Sequence, residues 1–179
     1  MPTLDKLGFL TVLWLFPVAV TLHETEEWNI LRWYRRNFQD LPPLTDASAR
    51  MWIVVFSLVV LLWFATASLT SSPSVAALVT LPAIALMVQN GLQHIFWLLS
   101  FRRYAPGVIT SVLLIIPLGS HIAIRALRHG YAPTWYVALL VALILPGLVQ
   151  TVRAGDRMTP QLRAMHRLGI KLSNWILGS

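Results

Sequence analysis

The sequence predicts an all-α fold, a polytopic bundle of membrane-spanning helices. Three observations lead to this class: 56% of the 179 residues are hydrophobic, only 12% are charged, and the mean hydropathy is +0.66. So few polar residues cannot cover the surface of a water-soluble globule, which excludes a soluble enzyme. The chain contains no cysteine, so disulfides, thiolate metal sites and cysteine nucleophiles are excluded as well.

Five segments are long and apolar enough to cross a bilayer, which needs about 20 mostly apolar residues. Turn and cap signals rich in proline, glycine and serine separate them. The sequence has no internal repeat and no second domain, so residues 1–179 are expected to form a single integral membrane domain. The predicted spans are 7–23, 51–69, 75–101, 108–127 and 135–152.

The segment 159–177 is predicted to form an amphipathic helix after the last span. Thr159 is a suitable cap, and Pro160 follows at the first helical position. Apolar residues at helical spacing lie away from the basic residues of this segment. We therefore expect the helix to lie on the membrane surface, held by the lipid bilayer and by anionic inner-leaflet lipids. The apolar stripe consists of Leu162, Met165, Gly169, Leu172 and Ile176.

Basic residues are distributed unequally between the two sides of such a bundle. With five spans, eleven of the fourteen lysines and arginines fall on the side that also holds the C-terminus. Because cytoplasmic loops carry the excess of basic residues, the N-terminus is expected outside and the C-terminus in the cytoplasm. The basic cytoplasmic loops account for the net charge of +7, so this charge does not require a nucleic-acid partner. The chain also has no nucleic-acid-binding motif. A cleaved signal peptide at the first span is disfavoured, since cleavage would leave an arginine-rich segment outside.

Three of the seven acidic residues fall within four positions, in the motif His23-Glu24-Thr25-Glu26-Glu27. The apolar periodicity predicts that the helix continues beyond this motif without a break. Glu26 and Glu27 then lie within about 60° of His23 around the helix, and Glu24 lies about 100° away. No lysine or arginine follows any of these carboxylates at three or four positions, so local ion pairs cannot neutralise them. Near hydrocarbon they must be protonated, hydrated or paired with a distant cation.

The third predicted span carries a matching polar face. Asn90, Gln93 and His94 repeat the i, i+3, i+4 spacing of the first motif within an otherwise apolar segment. His94 lies about 10 Å inside the cytoplasmic end of its span, at a depth similar to that of His23. We therefore predict that two histidines and two carboxylates meet in the cytoplasmic half of the bundle.

Such a group is suited to bind a divalent metal. His23, His94 and Glu27 form a set of two histidines and one carboxylate, which suits iron(II), zinc or manganese and leaves positions for water or substrate. Glu26 is expected as a fourth ligand or as a general base, so Glu26 and Glu27 are the candidate catalytic residues. The two amides of the third span would orient the ligands. Alternatively, these polar groups only join helices by hydrogen bonds.

The first motif is also one residue away from the zinc-protease pattern H-E-x-x-H. In that interpretation His23 and Glu27 bind zinc, and Glu24 is the base. Here Glu27 stands where that pattern has its second histidine, which is a zinc ligand, and His94 would have to supply a third ligand. Intramembrane proteolysis therefore stays an alternative.

At these residues the chain resembles the HXXEE family, small bacterial membrane proteins named for the first motif. The family pattern also includes a later histidine, matched by His94, and a Tyr-x-Pro-Gly element, matched by Tyr104-Ala105-Pro106-Gly107. The resemblance covers most of the chain between the first and fourth spans and implies a bacterial inner (plasma) membrane protein. It adds Tyr104, Pro106 and Gly107 to the functional set but implies no reaction. The element itself predicts a tight turn near the mouth of the site.

Three functions are compatible with these features. The first is a membrane metalloenzyme that acts on a lipid-like or apolar substrate entering from the bilayer. The second is a transporter or proton relay that uses the same ionisable groups; five spans and no inverted repeat disfavour it, although a homo-oligomer would supply more helices. The third is a scaffold whose polar cluster holds helices together. The sequence favours the first.

Overall fold

The computed structural model describes residues 6–178, and these form seven helices and no strand. The predicted all-α fold is thereby confirmed. Residues 1–5 and residue 179, which the single predicted domain includes, lie outside the described residues. The helices are α1 (Phe9–Glu26), α2 (Ile30–Asn37), α3 (Asp46–Ser68), α4 (Pro73–Phe101), α5 (Val108–Arg128), α6 (Thr134–Ala154) and α7 (Pro160–Leu177).

Four of these helices, α3 to α6, are long and apolar enough to cross a membrane. They correspond to the last four predicted spans. The first predicted span forms α1, which is not among the four because its last turn carries the polar residues His23, Glu24 and Glu26. The protein therefore has the helices of a membrane protein, and a polar cluster ends its first helix.

Side-chain caps define where three of the helices begin. Thr45 and Ser48 exchange hydrogen bonds with each other's backbone N–H groups at 3.1 and 3.0 Å, which starts α3. Ser72 and Thr159 cap α4 and α7 in the same way, each followed by a proline at the first helical position. Proline suits that position because its missing N–H would have no partner in the helix.

The helix predicted to continue beyond the acidic motif in fact breaks. α1 ends at Glu26, and α2 begins only at Ile30, so the expectation of one unbroken helix is wrong. The reason is tertiary packing: α2 turns to bury Ile30, Leu31 and Tyr34 in an aromatic cluster at this end of the bundle. Local periodicity could not reveal this turn, because the apolar residues keep helical spacing both before and after the break.

Two hydrophobic clusters lie on either side of the polar residues. The larger one joins α1, α3, α4 and α5 through residues such as Phe16, Phe64 and Ile122. The smaller one joins α2 to the end of α4 and the start of α7 through Trp33, Trp97 and their neighbours. The outer surface of the bundle also exposes large apolar side chains, as expected for a surface in contact with hydrocarbon.

α7 forms as predicted and packs against α3. A Cβ on Gly169 would lie 2.8 Å from the Ser48 carbonyl oxygen, which shows how closely the two helices approach. Of the predicted apolar stripe, Leu162 and Gly169 face the protein, whereas Ile176 is exposed. The stripe expected to face lipid is therefore partly used for packing within the protein. Contact of the remaining surface with anionic lipids stays a prediction.

Candidate metal centre

His23, Glu27 and His94 come together where α1 ends beside α4. Glu27 Oε1 lies 3.0 Å from His23 Nε2 and 2.8 Å from His94 Nε2. The two imidazole rings stand nearly at right angles, with centroids 5.1 Å apart. Both histidines are at most 1% exposed, so the group is shielded from water. One ligand atom from each of the three residues lies within 4.8 Å of the others.

Helix geometry explains how these side chains meet. His23 lies in the last turn of α1, and Glu27 follows four residues later at the helix end, where its N–H donates to the His23 carbonyl at 3.2 Å. His94 comes from α4. One turn earlier on the same face, Asn90 Oδ1 lies 2.8 Å from His23 Nε2. The polar faces of the first and third predicted spans are therefore in contact, as the sequence indicated.

Gly107 lies directly against the three side chains. A Cβ at this position would lie 2.8 Å from His94 Cε1 and 2.9 Å from both Glu27 Oε1 and His23 Cε1. The backbone φ of Gly107 is +93°, a conformation that other residues rarely adopt. Only glycine satisfies both conditions without displacing the cluster. The Tyr-x-Pro-Gly turn, in which Pro106 precedes this glycine, thus lies against the site.

Two further hydrogen bonds orient the His23 ring. Its Nδ1 lies 2.9 Å from Thr110 Oγ1, and the Thr110 hydroxyl donates to Glu26 Oε2 at 2.6 Å. Because this hydroxyl donates its proton to the carboxylate, it accepts from the ring, and His23 Nδ1 carries a proton. In a neutral His23 ring, Nε2 is then the acceptor, which is the form that binds a metal.

Glu26 lies outside the group of three and binds the start of α5 instead. Its Oε1 accepts from the Tyr104 hydroxyl at 2.6 Å and from the Ile109 N–H at 3.2 Å. Its Oε2 accepts from both the N–H and the hydroxyl of Thr110, at 2.8 and 2.6 Å. The first N–H groups of a helix have no partner within it, and a carboxylate there is favoured by the helix dipole.

Charge states follow from these contacts for two groups outside the apolar helices. Burial alone would raise the pKa of the Glu27 carboxyl, but the adjacent His94 and His23 hold this pKa well below its usual range. Glu27 is therefore anionic. Partial burial and the hydrogen bond to Glu26 raise the pKa of the Tyr104 phenol, so Tyr104 remains a donor.

The remaining predicted residues lie beside the centre. Glu24 and Gln93 line a cavity that Asn90 also lines. Glu24 is only 6% exposed and lies about 100° from His23 around the helix. Arg50, whose charge could have neutralised the carboxylates, instead donates to Asn29 Oδ1 at 2.9 Å. No arginine or lysine pairs with the cluster among the residues that the structure describes.

The donor set fits a divalent metal. The unprotonated His23 Nε2 lies 2.8 Å from Asn90 Oδ1 and 3.0 Å from Glu27 Oε1. All three atoms are hydrogen-bond acceptors, so a proton or a metal cation is required between them. Both ring nitrogens of His94 are buried without a hydrogen-bond partner among the described residues, although Nε2 approaches Glu27. Leaving such groups unpaired costs about 1–3 kcal/mol. Two imidazoles and a carboxylate could hold iron(II), zinc or manganese here.

Sequence reasoning missed Thr110. This residue links His23 to Glu26, and its hydroxyl oxygen also lies 3.2 Å from the carbonyl oxygen of Gly107, just before α5. A usable signal was present, because Thr110 and Ser111 form a short polar step, three and four positions after the glycine, in a mostly apolar segment. The next five residues, Ser111–Ile115, form a π-helical turn. Pro117 explains it, since a proline cannot donate the usual helical hydrogen bond.

Comparisons with known proteins agree with this geometry. A family model described as "Protein of unknown function with HXXEE motif" matches residues 14–122, which include every residue of the centre. The uncharacterized protein YrkK of Bacillus subtilis (strain 168) is 24% identical over 153 residues, covering 81% of this chain and 96% of the relative. No solved structure matches the chain. Since the family model spans more than half of the chain and contains both polar motifs, this protein belongs to the HXXEE family.

Proposed function

We propose that this protein is a membrane metalloenzyme that acts on a lipid-like substrate at His23, Glu27 and His94. One observation carries the proposal: the ligand atoms of these three buried residues lie within 4.8 Å of one another. Buried ionisable groups in a membrane bundle are costly and mark functional sites more often than packing sites. A divalent metal bound there would act as a Lewis acid and would lower the pKa of a bound water.

The surrounding residues have distinct roles in this proposal. Thr110 holds the His23 ring through the hydrogen bond at Nδ1, at 2.9 Å, whereas Asn90 Oδ1, 2.8 Å from Nε2, would lie beside a metal bound at that nitrogen. Glu27 supplies the negative charge. Glu26 reaches the centre only through Thr110, so we assign it to positioning and to accepting a proton along that hydrogen bond, not to metal binding. Tyr104, which is 50% exposed, connects Glu26 to the surface.

A second candidate function rests on the same chain of contacts. The path from His23 through Thr110 and Glu26 to Tyr104 leads from a fully buried ring to the protein surface by hydrogen bonds of 2.6 to 2.9 Å. Such a path is suited to proton transfer, so the alternative is a proton relay without a metal. Proton flux into vesicles that contain the metal-free protein, lost in Glu26→Gln, would favour it.

The metal content of the detergent-purified protein tests the first proposal. We expect near-stoichiometric iron, zinc or manganese by inductively coupled plasma mass spectrometry. The metal should be lost in His23→Ala, Glu27→Ala and His94→Ala, because each substitution removes one ligand. His129→Ala is the matched control: this histidine is exposed and stacks on Tyr131 at the other end of α5, so the variant should keep its metal.

Two outcomes would contradict the proposal. One is a folded wild-type protein that binds none of the three metals after incubation with each, with iron(II) added anaerobically. The other is equal metal loss in His129→Ala, which would mean that the metal was bound non-specifically. Retained metal in His94→Ala alone would remove this residue from the ligand set.

A further inference from the structure

A cavity of about 250 Å³ lies beside the candidate metal centre. Its walls come from α1, α3, α4, α6 and α7, so five helices contribute to it. Most of the lining is apolar and includes Trp52, Phe56 and Met87. Leu86 also lines the cavity and is 56% exposed, so the cavity reaches the apolar outer surface of the bundle.

Glu24 lies in the cavity wall without a hydrogen-bond partner. Only 6% of its surface is exposed, and its carboxyl group has no hydrogen bond among the described residues, although His23 and Glu27 lie close enough to interact with it electrostatically. Gln89, Asn90 and Gln93 contribute amides to the same wall. Burying a carboxylate without a partner is expensive, so its place here suggests that a ligand supplies one.

The charge of the lining indicates the chemistry of that ligand. Glu24 is the one ionisable residue among the side chains that line the cavity, and no lysine, arginine or histidine faces it. The protein as a whole carries twice as many basic as acidic residues, 14 against 7, so an acid alone in an apolar cavity runs against its composition. A basic head group complements this wall, because an amine can take the proton of a buried carboxyl group and then donate hydrogen bonds to it and to the neighbouring amide oxygens.

We propose that the cavity binds a single-chain amphiphile whose primary amine donates to Glu24 and whose hydrocarbon chain packs against Trp52 and Phe56. The volume is close to the lower limit of small-molecule pockets, roughly 300 Å³, so it suits one chain and excludes the body of a two-chain lipid. An amine held by Glu24 would lie next to Asn90, which contacts His23. That this amphiphile is the substrate rests on the proposed metalloenzyme function; its binding does not.

Binding is measured with the protein in neutral phosphatidylcholine nanodiscs and dodecylamine that carries a nitroxide on its chain. The nitroxide should quench the fluorescence of Trp52, and this quenching should reach a plateau as the binding site fills. In Trp52→Phe this saturable part of the quenching should disappear. We expect Glu24→Gln to weaken binding by roughly tenfold to a hundredfold, because a charge-assisted hydrogen bond is lost. Asp46→Asn is the matched control, since it makes the same change at an exposed carboxylate outside the cavity and should bind normally.

Thr151→Phe keeps the test decisive if Glu24→Gln does not fold. Thr151 lines the cavity from α6, so a phenyl ring there should exclude the hydrocarbon chain while Glu24 stays in place. The proposal is overturned if dodecanoic acid with the same nitroxide binds as tightly as the amine, or if neither variant weakens binding. Glu24→Gln should keep its metal and His94→Ala should still bind the amine, so failure of this inference and failure of the metal proposal give different results.

Discussion

At the scale of single residues, Gly107 limits the space around the three candidate ligands. Gly107 combines a positive φ with contact to all three candidate ligands, so replacing it tests the centre without removing a ligand. His94 and Glu27 would bind a metal directly, but substitutions there also change charge and hydrogen bonding. Replacing Gly107 by alanine fills space beside the ligands and strains the backbone, but it changes neither their charge nor their hydrogen-bonding groups.

We expect Gly107→Ala to lower metal affinity by more than tenfold. The added Cβ would lie within 2.9 Å of His23, Glu27 and His94, and it must displace at least one of them. Gly130→Ala is the control, because Gly130 also has a positive φ, +68°, but nothing lies within 4 Å of the added atom. Both variants should lose about 1–2 kcal/mol from backbone strain. Equal metal affinity in the two variants, measured by competition with a chelator, would show that Gly107 does not limit the site.

At the scale of elements, α7 closes the end of the bundle that holds the centre. Leu162 contributes both to the aromatic cluster and to the cavity wall. His166, in the same helix, packs its ring against Tyr34 with centroids 5.2 Å apart, and burial lowers its pKa to about 4, so it is neutral. The helix is tied to the loop after α2 by Asp40, which accepts from the Met158 N–H at 2.9 Å and pairs with Arg163.

The contacts of Asp40 predict a pH-dependent contribution to the attachment of α7. The hydrogen bond from Met158, followed by Arg163, lowers the pKa of the Asp40 carboxyl below its ordinary 3.8. A lowered folded-state pKa means that the stabilisation is complete above pH 3.8 and is lost as the pH falls through the lower value. We expect Asp40→Asn to reduce the Tm by about 1–4 °C at pH 7 and to reduce it progressively less as the pH falls below 3.8.

Arg163→Gln provides the comparison for this prediction. Because Asp40 and Arg163 form one pair, the double variant Asp40→Asn with Arg163→Gln should lose less than the sum of the two single losses. Additive losses in Tm, or a difference that persists undiminished at pH 3, would contradict the assignment of the stabilisation to this pair.

At the scale of the whole molecule, apolar surface and charge are arranged for a bilayer. Large apolar side chains cover the outside of the four apolar helices, as Leu62 and Leu113 do with 63% and 64% of their surface exposed. The end that holds the centre also carries an arginine group around Arg32, Arg35 and Arg50. We propose from this charge that the centre lies in the cytoplasmic half of the membrane, with the N-terminus outside.

Single cysteines at the two ends of α3 test this orientation. The native chain has no cysteine, so Ser71→Cys and Ala47→Cys each introduce one unique, exposed thiol. A membrane-impermeant maleimide should label Ser71→Cys in intact cells and should label Ala47→Cys only after permeabilisation. The reverse pattern would place the centre on the outer side and would refute the orientation drawn from the basic residues.

The sequence by itself determined the class of the protein and most members of the centre. Composition and the length of apolar segments require membrane-type helices, and the local signal of Thr159 followed by Pro160 placed the start of α7 correctly. The spacing of His23 and Glu27 placed both on one side of the chain, because residues four apart are neighbours on a helix. These features depend only on residues close together in the sequence.

The tertiary structure alone decided how these residues are used. The break after Glu26, the contacts of that carboxylate with α5, the close approach of Gly107 and the unpartnered Glu24 all depend on helices that meet only after packing. His23 and Thr110, for example, are 87 residues apart in the chain. Helical periodicity specifies which face a residue occupies, but the neighbour of that face is set by the packing of the whole bundle.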